Sequence, residues 1–214
     1  MRFTRLRLNQ IFDRSKKRAH KSWASKNVDR ENFQYFRQDI ADQTADRILD
    51  VKRAFYHVLE LGGDQGKVIW ILQSKTCSGQ VSKRISPNAV SYLVQTDPCP
   101  YVTYKSDSNA LVQHCKAAVD ECRPLPYKTN TFDLVICNLN LHWANDLNGT
   151  LSEINRVLRP DAAIIGSIWA NDSLYELRQA LQLAELERRG GVGTGRHHKF
   201  YRCLFINFLT NADL

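Results

Sequence analysis

No stretch of this chain approaches the roughly 18 consecutive apolar residues that a membrane-spanning helix needs, so an integral helical membrane protein is not expected. Ten glycines and six prolines in 214 residues are too few for a disordered or fibrous class. No segment repeats another. The six cysteines (Cys77, Cys99, Cys115, Cys122, Cys137, Cys203) form no C-x-x-C pair, and the chain is too long for a small disulfide scaffold, so they are expected to be reduced. His114, Cys115 and Cys122 come nearest to a ligand set, but their spacing fits no common zinc site, and no metal is expected.

Acidic residues are absent before Asp13. Residues 1–30 hold ten Lys/Arg against two Asp, a surplus of +8 that equals the net charge of the whole chain. The remainder is balanced. Arg2, Arg5 and Arg7 alternate with Phe3, Leu6 and Leu8, the composition of a mitochondrial presequence, and a solvated basic arm is the plainer alternative. The patch has neither aromatic interleaving nor a binding motif, so nucleic acid is not an expected partner.

What is present is an apolar fraction of 43% in a length suited to one α/β domain. Phe33, Phe36, Ile40, Ala41, Thr44 and Ile48 recur at helical spacing and predict an amphipathic helix over 32–51. Residues 55–61 and 90–97 read as strands, each ending beside an acid or a turn. A helix is expected to begin over 66–73, and 75–91 reads as a polar loop. Residues 109–118 are helical or partly extended. Residues 131–138 (Thr-Phe-Asp-Leu-Val-Ile-Cys-Asn) form a near-continuous apolar run, the pattern of a strand covered on both faces in a parallel sheet. A helix over 151–158 should stop at Arg159-Pro160-Asp161, since Pro160 cannot continue it. A buried strand at 162–169 and a helix over 173–189 follow, the helix capped by Asp172 or Ser173 and stopped by Gly190-Gly191. One more strand is predicted over 203–209. Alternating strands and helices imply a doubly wound, mostly parallel sheet.

In such sheets ligands lie at the carboxyl ends of the strands, beside the point where strand order reverses. Glu60-Leu61-Gly62-Gly63-Asp64-Gln65-Gly66 ends the first strand in a glycine-rich turn, where the backbone must bend sharply and pass close to a ligand. Asp64 stands where a regular Gly-x-Gly-x-Gly loop has its middle glycine, and the loop supplies no G-x-G-x-x-G, which argues against a nicotinamide dehydrogenase. Asp97 ends the second strand, Asp120 lies in the loop before Pro124, and Asn138 to Trp143 follow the apolar fourth strand. A carboxylate at the end of the second strand offers two acceptor oxygens to a ribose diol. His142 is the nearest candidate for a base, although a packed histidine is the simpler reading. No catalytic residue can be named.

Residues 131–143, the Arg159-Pro160-Asp161 turn, the helix from Asp172 to Glu185 and the early stretch Ile11-Phe12-Asp13-Arg14 with Lys17, His20 and Trp23 resemble class I S-adenosylmethionine-dependent methyltransferases. Within that class they are similar to methyltransferase-like arginine hydroxylases of mitochondrial complex I assembly and to malonyl-carrier-protein methyltransferases of biotin synthesis. The resemblance runs over about residues 11–193. It implies a Rossmann-like methyltransferase fold, S-adenosyl-L-methionine as cofactor, and a cofactor site made by Glu60, Gly62, Gly66, Asp97 and Asp120. Glu60, Gly62 and Gly66 would lie around the methionine and ribose, Asp97 on the ribose and Asp120 on the adenine amine.

It further implies a protein substrate among complex I subunits, modified by arginine hydroxylation or methylation. The implied location is the mitochondrion, on the matrix side of the inner membrane with at most peripheral association. Residues 194–214 match none of the family pattern, so the last strands are expected to be missing. The chain divides accordingly into a basic arm (1–30), a methyltransferase-like domain (31–193) and a divergent tail (194–214). A catalytically degenerate assembly or binding protein with the same fold is the alternative, motivated by Asp64 and that tail. If the basic arm is a presequence, residues 1–30 fused to a reporter will carry it into mitochondria, and a reporter left in the cytosol contradicts this reading.

Overall fold

The computed structural model describes residues 11–27, 35–51, 53–63, 92–100, 113–169, 175–190 and 209–210. Asp64, Gly66, the helix expected from residue 66, the loop at 75–91 and the cap at Asp172 or Ser173 lie outside the described residues. The described elements are α1 (Arg14–Lys26), α2 (Tyr35–Asp50), β1 (His57–Leu61), β2 (Tyr92–Thr96), β3 (Gln113–Ala117), β4 (Phe132–Asn138), α3 (Leu147–Val157), β5 (Leu158–Ser167), α4 (Tyr175–Arg189) and β6 (Leu209–Thr210).

The strands form one sheet in the order β3-β2-β1-β4-β5-β6. The first five are parallel, and the two-residue β6 runs antiparallel along β5. Strand order therefore reverses between β1 and β4, which pair through Val58–Leu134, Leu59–Val135 and Glu60–Ile136. The doubly wound sheet anticipated from the alternation of apolar runs is the observed one. Among the described residues no helix is long and apolar enough to cross a membrane.

Side chains along a strand point alternately to opposite faces, and the core divides accordingly. Leu59, Leu61, Val94, Val135, Cys137 and Ile164 pack on one face with Ile154 and Val157 of α3. Their neighbours Val58, Leu93, Leu134, Ile136 and Ile165 pack on the other with Ala41, Ala45 and Ile48 of α2. The spacing of those three α2 residues places them on one helical stripe, so α2 flanks the sheet. Apolar side chains thus cover both faces of β1 and β4, which is why their sequences run nearly unbroken in apolar residues.

Of the two readings of residues 109–118, the extended one holds: Gln113 to Ala117 form a strand, β3, that pairs with Tyr92 to Thr96 of β2. The helix expected over 151–158 starts earlier, at Leu147, because the Asp146 carboxylate accepts the Gly149 N–H at 2.9 Å and caps it. Arg159-Pro160-Asp161 is no turn between elements. It is an irregularity within β5, where the pairing jumps from Phe132–Leu158 to Leu134–Ala163 and Asp161 takes a φ of 62°. At the amino end of β1, buried Asp133 accepts the N–H groups of Tyr56 (3.2 Å) and His57 (3.0 Å) and pairs with Arg159 (2.8 Å). That end of the sheet is closed by structural bonds, which leaves the carboxyl end for chemistry.

Candidate functional site

β1 ends at Leu61, and the chain must turn at once. Gly62 adopts a φ of +67°, and a Cβ there would strike the Asn140 side chain, with its Cγ only 2.5 Å away. Gly63 is constrained differently: a Cβ would lie 2.6 Å from the carboxyl carbon of Glu60. Both N–H groups donate to the Thr96 carbonyl, at 2.8 and 3.2 Å, which ties the turn to the end of β2. Glycine is required twice, once for conformation and once for space.

Four carboxylates gather around this turn. Glu60 is 2% exposed, accepts the Gln95 amide at 3.1 Å and borders the cleft. Burial, opposed by the Gln95 hydrogen bond and reinforced by Asp97, pushes its carboxyl up to about 8. Asp97, 1% exposed, accepts the Cys99 N–H at 2.8 Å and pairs with Lys21. Asp120 and buried Glu121 share one guanidinium nitrogen of Arg14, at 2.7 and 2.5 Å.

Lys21 and Arg14 both come from α1, so part of the basic arm is not solvated. α1 is capped by Asp13, whose carboxylate accepts the Ser15 and Lys16 N–H groups. Its start is clasped by Asn145, which accepts the Phe12 N–H at 2.8 Å and donates to the Phe12 carbonyl at 2.9 Å. Phe12 meets the Trp143 ring edge-on at 5.2 Å, and the Lys17 ammonium sits 3.4 Å above the same ring. Burial, with Lys21, Arg37 and Arg14 nearby, lowers Lys17 to about 8.

A cleft of about 240 Å³ lies between α1, the β1 turn and the segment after β4. Glu60, Gly62, Gly63, Glu121, Asn138, Leu139, Asn140 and Trp143 line it, opposite the cationic face of α1. Leu139 has a φ of 48°, a conformation costly for a branched side chain, in the turn that carries Asn138 and Asn140. Asn138 is fixed through its oxygen by Thr44 and Ser167, each at 3.1 Å. The amide nitrogens of Asn138 and Asn140 and one oxygen of Glu121 are buried without a hydrogen-bond partner. Buried polar atoms left unbonded at a cleft wall can bond a ligand or a water that enters the cleft.

Of the sequence-derived site residues, the structure brings Glu60 and Gly62 onto the cleft, with Asp97 and Asp120 beside it under Lys21 and Arg14. Gly66 lies outside the described residues. Gly63 lies in the glycine-rich turn and Arg14 in a stretch that carries the family resemblance, whereas no local motif marks Glu121 or Lys21 for the site. His142 stays neutral at neutral pH and is a weakened base: burial, then Lys17, lowers it to about 4, and it packs against Trp143 and Trp169. Ligand atoms of Asp120, Glu121 and Cys122 lie within 4.8 Å of one another, but the Arg14 guanidinium already occupies both carboxylates and burial pushes the Cys122 thiol up to about 11.

This architecture is the class I methyltransferase fold, and the chain belongs to that class. A family described as methyltransferase domain matches residues 73–166. The phosphoethanolamine N-methyltransferase 1 of Haemonchus contortus, solved with phosphoethanolamine and S-adenosylhomocysteine, superposes with a TM-score of 0.54 at 16% identity, covering 73% of this chain and 32% of that one. Within the class, the chain is related to arginine-hydroxylase NDUFAF5, mitochondrial. It is 38% identical to the Danio rerio protein over 181 residues, 85% of this chain and 52% of that protein. A malonyl-[acyl-carrier protein] O-methyltransferase of Halorhodospira halophila is 43% identical over a shorter stretch of 56 residues, 26% of this chain and 19% of that one. The chain spans about half the length of the hydroxylase relatives it matches.

Glu60 generates a prediction. Its folded-state proton is held up to about 8 against an ordinary 4.5, so the folded state binds the proton more tightly than the unfolded state. That contribution to stability is full below pH 4.5 and is lost as pH rises through about 8. Urea midpoints should fall between about pH 5 and about pH 8.5, and Glu60→Gln should flatten the fall. Equal slopes for the two proteins would remove Glu60 as its source.

Proposed function

We propose that the cleft binds S-adenosyl-L-methionine and that the chain is an S-adenosylmethionine-dependent, methyltransferase-like protein of mitochondrial complex I assembly, acting on a protein subunit. The observation that carries this reading is the meeting of a glycine turn, Glu60, Asp97 and the Asp120–Glu121 pair at the strand-order reversal of one sheet. The residues present fit the cofactor, because the turn would be filled by a Cβ at either glycine and the wall holds unbonded donors and an unbonded acceptor.

When bound, the cofactor supplies an electrophilic methyl group on a sulfonium. Gly62 and Gly63 would let the backbone approach the methionine and ribose portion closely. Glu60 would hold the ammonium end as an ionised carboxylate, giving up the proton that burial otherwise holds on it. Asp97 would receive the ribose hydroxyls, and Asp120 with Glu121 the adenine amine. Asn138 and Asn140 offer amide N–H groups beside the glycine turn, where an acceptor group would be oriented. The chemistry at the acceptor is methylation or arginine hydroxylation, the second because the hydroxylase relatives carry that activity in their name.

We place the protein on the matrix side of the inner mitochondrial membrane, at most peripherally attached, since those relatives are named mitochondrial. The division into a basic arm, a domain over 31–193 and a tail from 194 belongs to the same proposal. One observation favours the degenerate alternative: cations of α1 already hold Asp97 and Asp120.

Titration calorimetry of the full chain with S-adenosylmethionine tests the proposal. Binding should be measurable and accompanied by proton release at about pH 7, read from its dependence on buffer ionisation enthalpy. Asp97→Ala should abolish the heat. No heat and no thermal shift at about millimolar ligand, a concentration that would detect binding of only about 4 kcal/mol, would sink the enzyme reading.

A further inference from the structure

α1 differs from the other elements around the site in how it is held. α2 and α3 are anchored by Ala41, Ala45 and Ile48 and by Ile154 and Val157, all buried in the core. The one buried residue of α1 is Ser25, whose hydroxyl bonds the Ser22 carbonyl within the same helix. Among the described residues the contacts that fasten α1 to the site are electrostatic and aromatic: Lys21 on Asp97, Arg14 on Asp120 and Glu121, and the Phe12–Trp143–Lys17 contacts. An element without buried apolar anchors is detached at small hydrophobic cost.

It covers part of the acceptor surface that a ligand would use: one oxygen each of Asp97, Asp120 and Glu121. Asp97 has one oxygen on the Cys99 N–H and the other on Lys21, and at 1% exposure it offers nothing to a diol while Lys21 stays. Asp120 spends the same oxygen on the Cys122 N–H and on Arg14. Glu121 gives one oxygen to Arg14 and keeps the other buried and unbonded.

We infer that Arg14 and Lys21 stand in the places of an adenosyl ligand's own donors, so that the ligand enters by displacing α1 and occupancy of the cleft is coupled to release of that helix. This rests on the cleft being an adenosyl-ligand site. Two cations leave the carboxylates in the exchange, while S-adenosylmethionine brings a net charge of one, so the ligand's neutral ribose and adenine donors replace ion pairs by hydrogen bonds. Linkage then runs both ways: whatever captures the freed α1 raises affinity for the ligand, and the ligand presents the cationic face of α1 to a partner. Arg14 and Lys21 thereby set the affinity without being catalytic residues.

The test combines calorimetry with S-adenosylhomocysteine and hydrogen exchange of residues 14–26, on the unmodified full chain and on Lys21→Met and Arg14→Met. Ligand should speed exchange across α1 in the unmodified chain. Each variant should bind roughly fivefold tighter or better, since apparent affinity scales with the population already open. Added salt should speed α1 exchange in the unliganded, unmodified chain, which tests the electrostatic hold even if a variant fails to fold. Slower α1 exchange with ligand, or weaker binding by the variants, would show that the cations belong to the ligand's cradle and overturn the inference. Equal affinities with unchanged exchange overturn it too, while the adenosyl reading stands. Absence of binding in all three folded proteins removes both, and binding by the variants alone supports displacement in its tightest form.

Discussion

A sheet that collects carboxylates at one end must neutralise them. Glu60, Asp97 and Glu121 are each at most 2% exposed, and Asp120 lies beside them. An isolated buried carboxylate is strongly unfavourable, so each must be protonated, hydrogen-bonded or paired. The structure uses all three routes: Glu60 keeps its proton, Asp97 takes a backbone N–H and Lys21, and the Asp120–Glu121 pair shares Arg14. Removing one partner of a buried pair costs about 3–5 kcal/mol, a large share of a domain's stability. The docking of α1, the burial of Lys17 and the shape of the cleft all follow from this one requirement.

The requirement would be a defect in a purely structural domain, since apolar residues of similar volume would hold the same fold without it. Its position argues for function. The carboxylates stand where β1, β2 and β3 end, next to a turn that accepts only glycine, and across from a β4 exit with a left-handed Leu139 and unbonded asparagine amides. At the other end of the sheet Asp133 is equally buried, yet there every oxygen has a fixed partner in Tyr56, His57 or Arg159.

The fold was legible because β1 and β4 are buried on both faces and so carry near-continuous apolar runs, with shorter ones in β2 and the second half of β5. β3 was ambiguous because Gln113-His114-Cys115-Lys116-Ala117 lies at the edge of the sheet and carries little apolar signal. The start of α3 was hidden by Gly149, a poor helix residue that is there so the Asp146 carboxylate can fold back over the first turn. In the site, Glu60, Gly62, Asp97 and Asp120 could be named from strand ends and from family resemblance. The roles of Arg14 and Lys21 could not, because ion pairs spanning 106 and 76 residues leave no local pattern. His142 was the nearest candidate for a base from its place after β4, with a packed histidine the simpler reading, and its burial against two tryptophans and Lys17 fits the packed one.

The central claim is that these carboxylates form a ligand site. A crystal structure of the full chain grown with saturating S-adenosylhomocysteine tests it most directly. The account predicts ribose hydroxyls on Asp97 and the adenine amine at Asp120 and Glu121, with Lys21 and Arg14 withdrawn. A cleft that retains both the Lys21–Asp97 and Arg14–Asp120 pairs, with no ligand between β1 and β4, would contradict it.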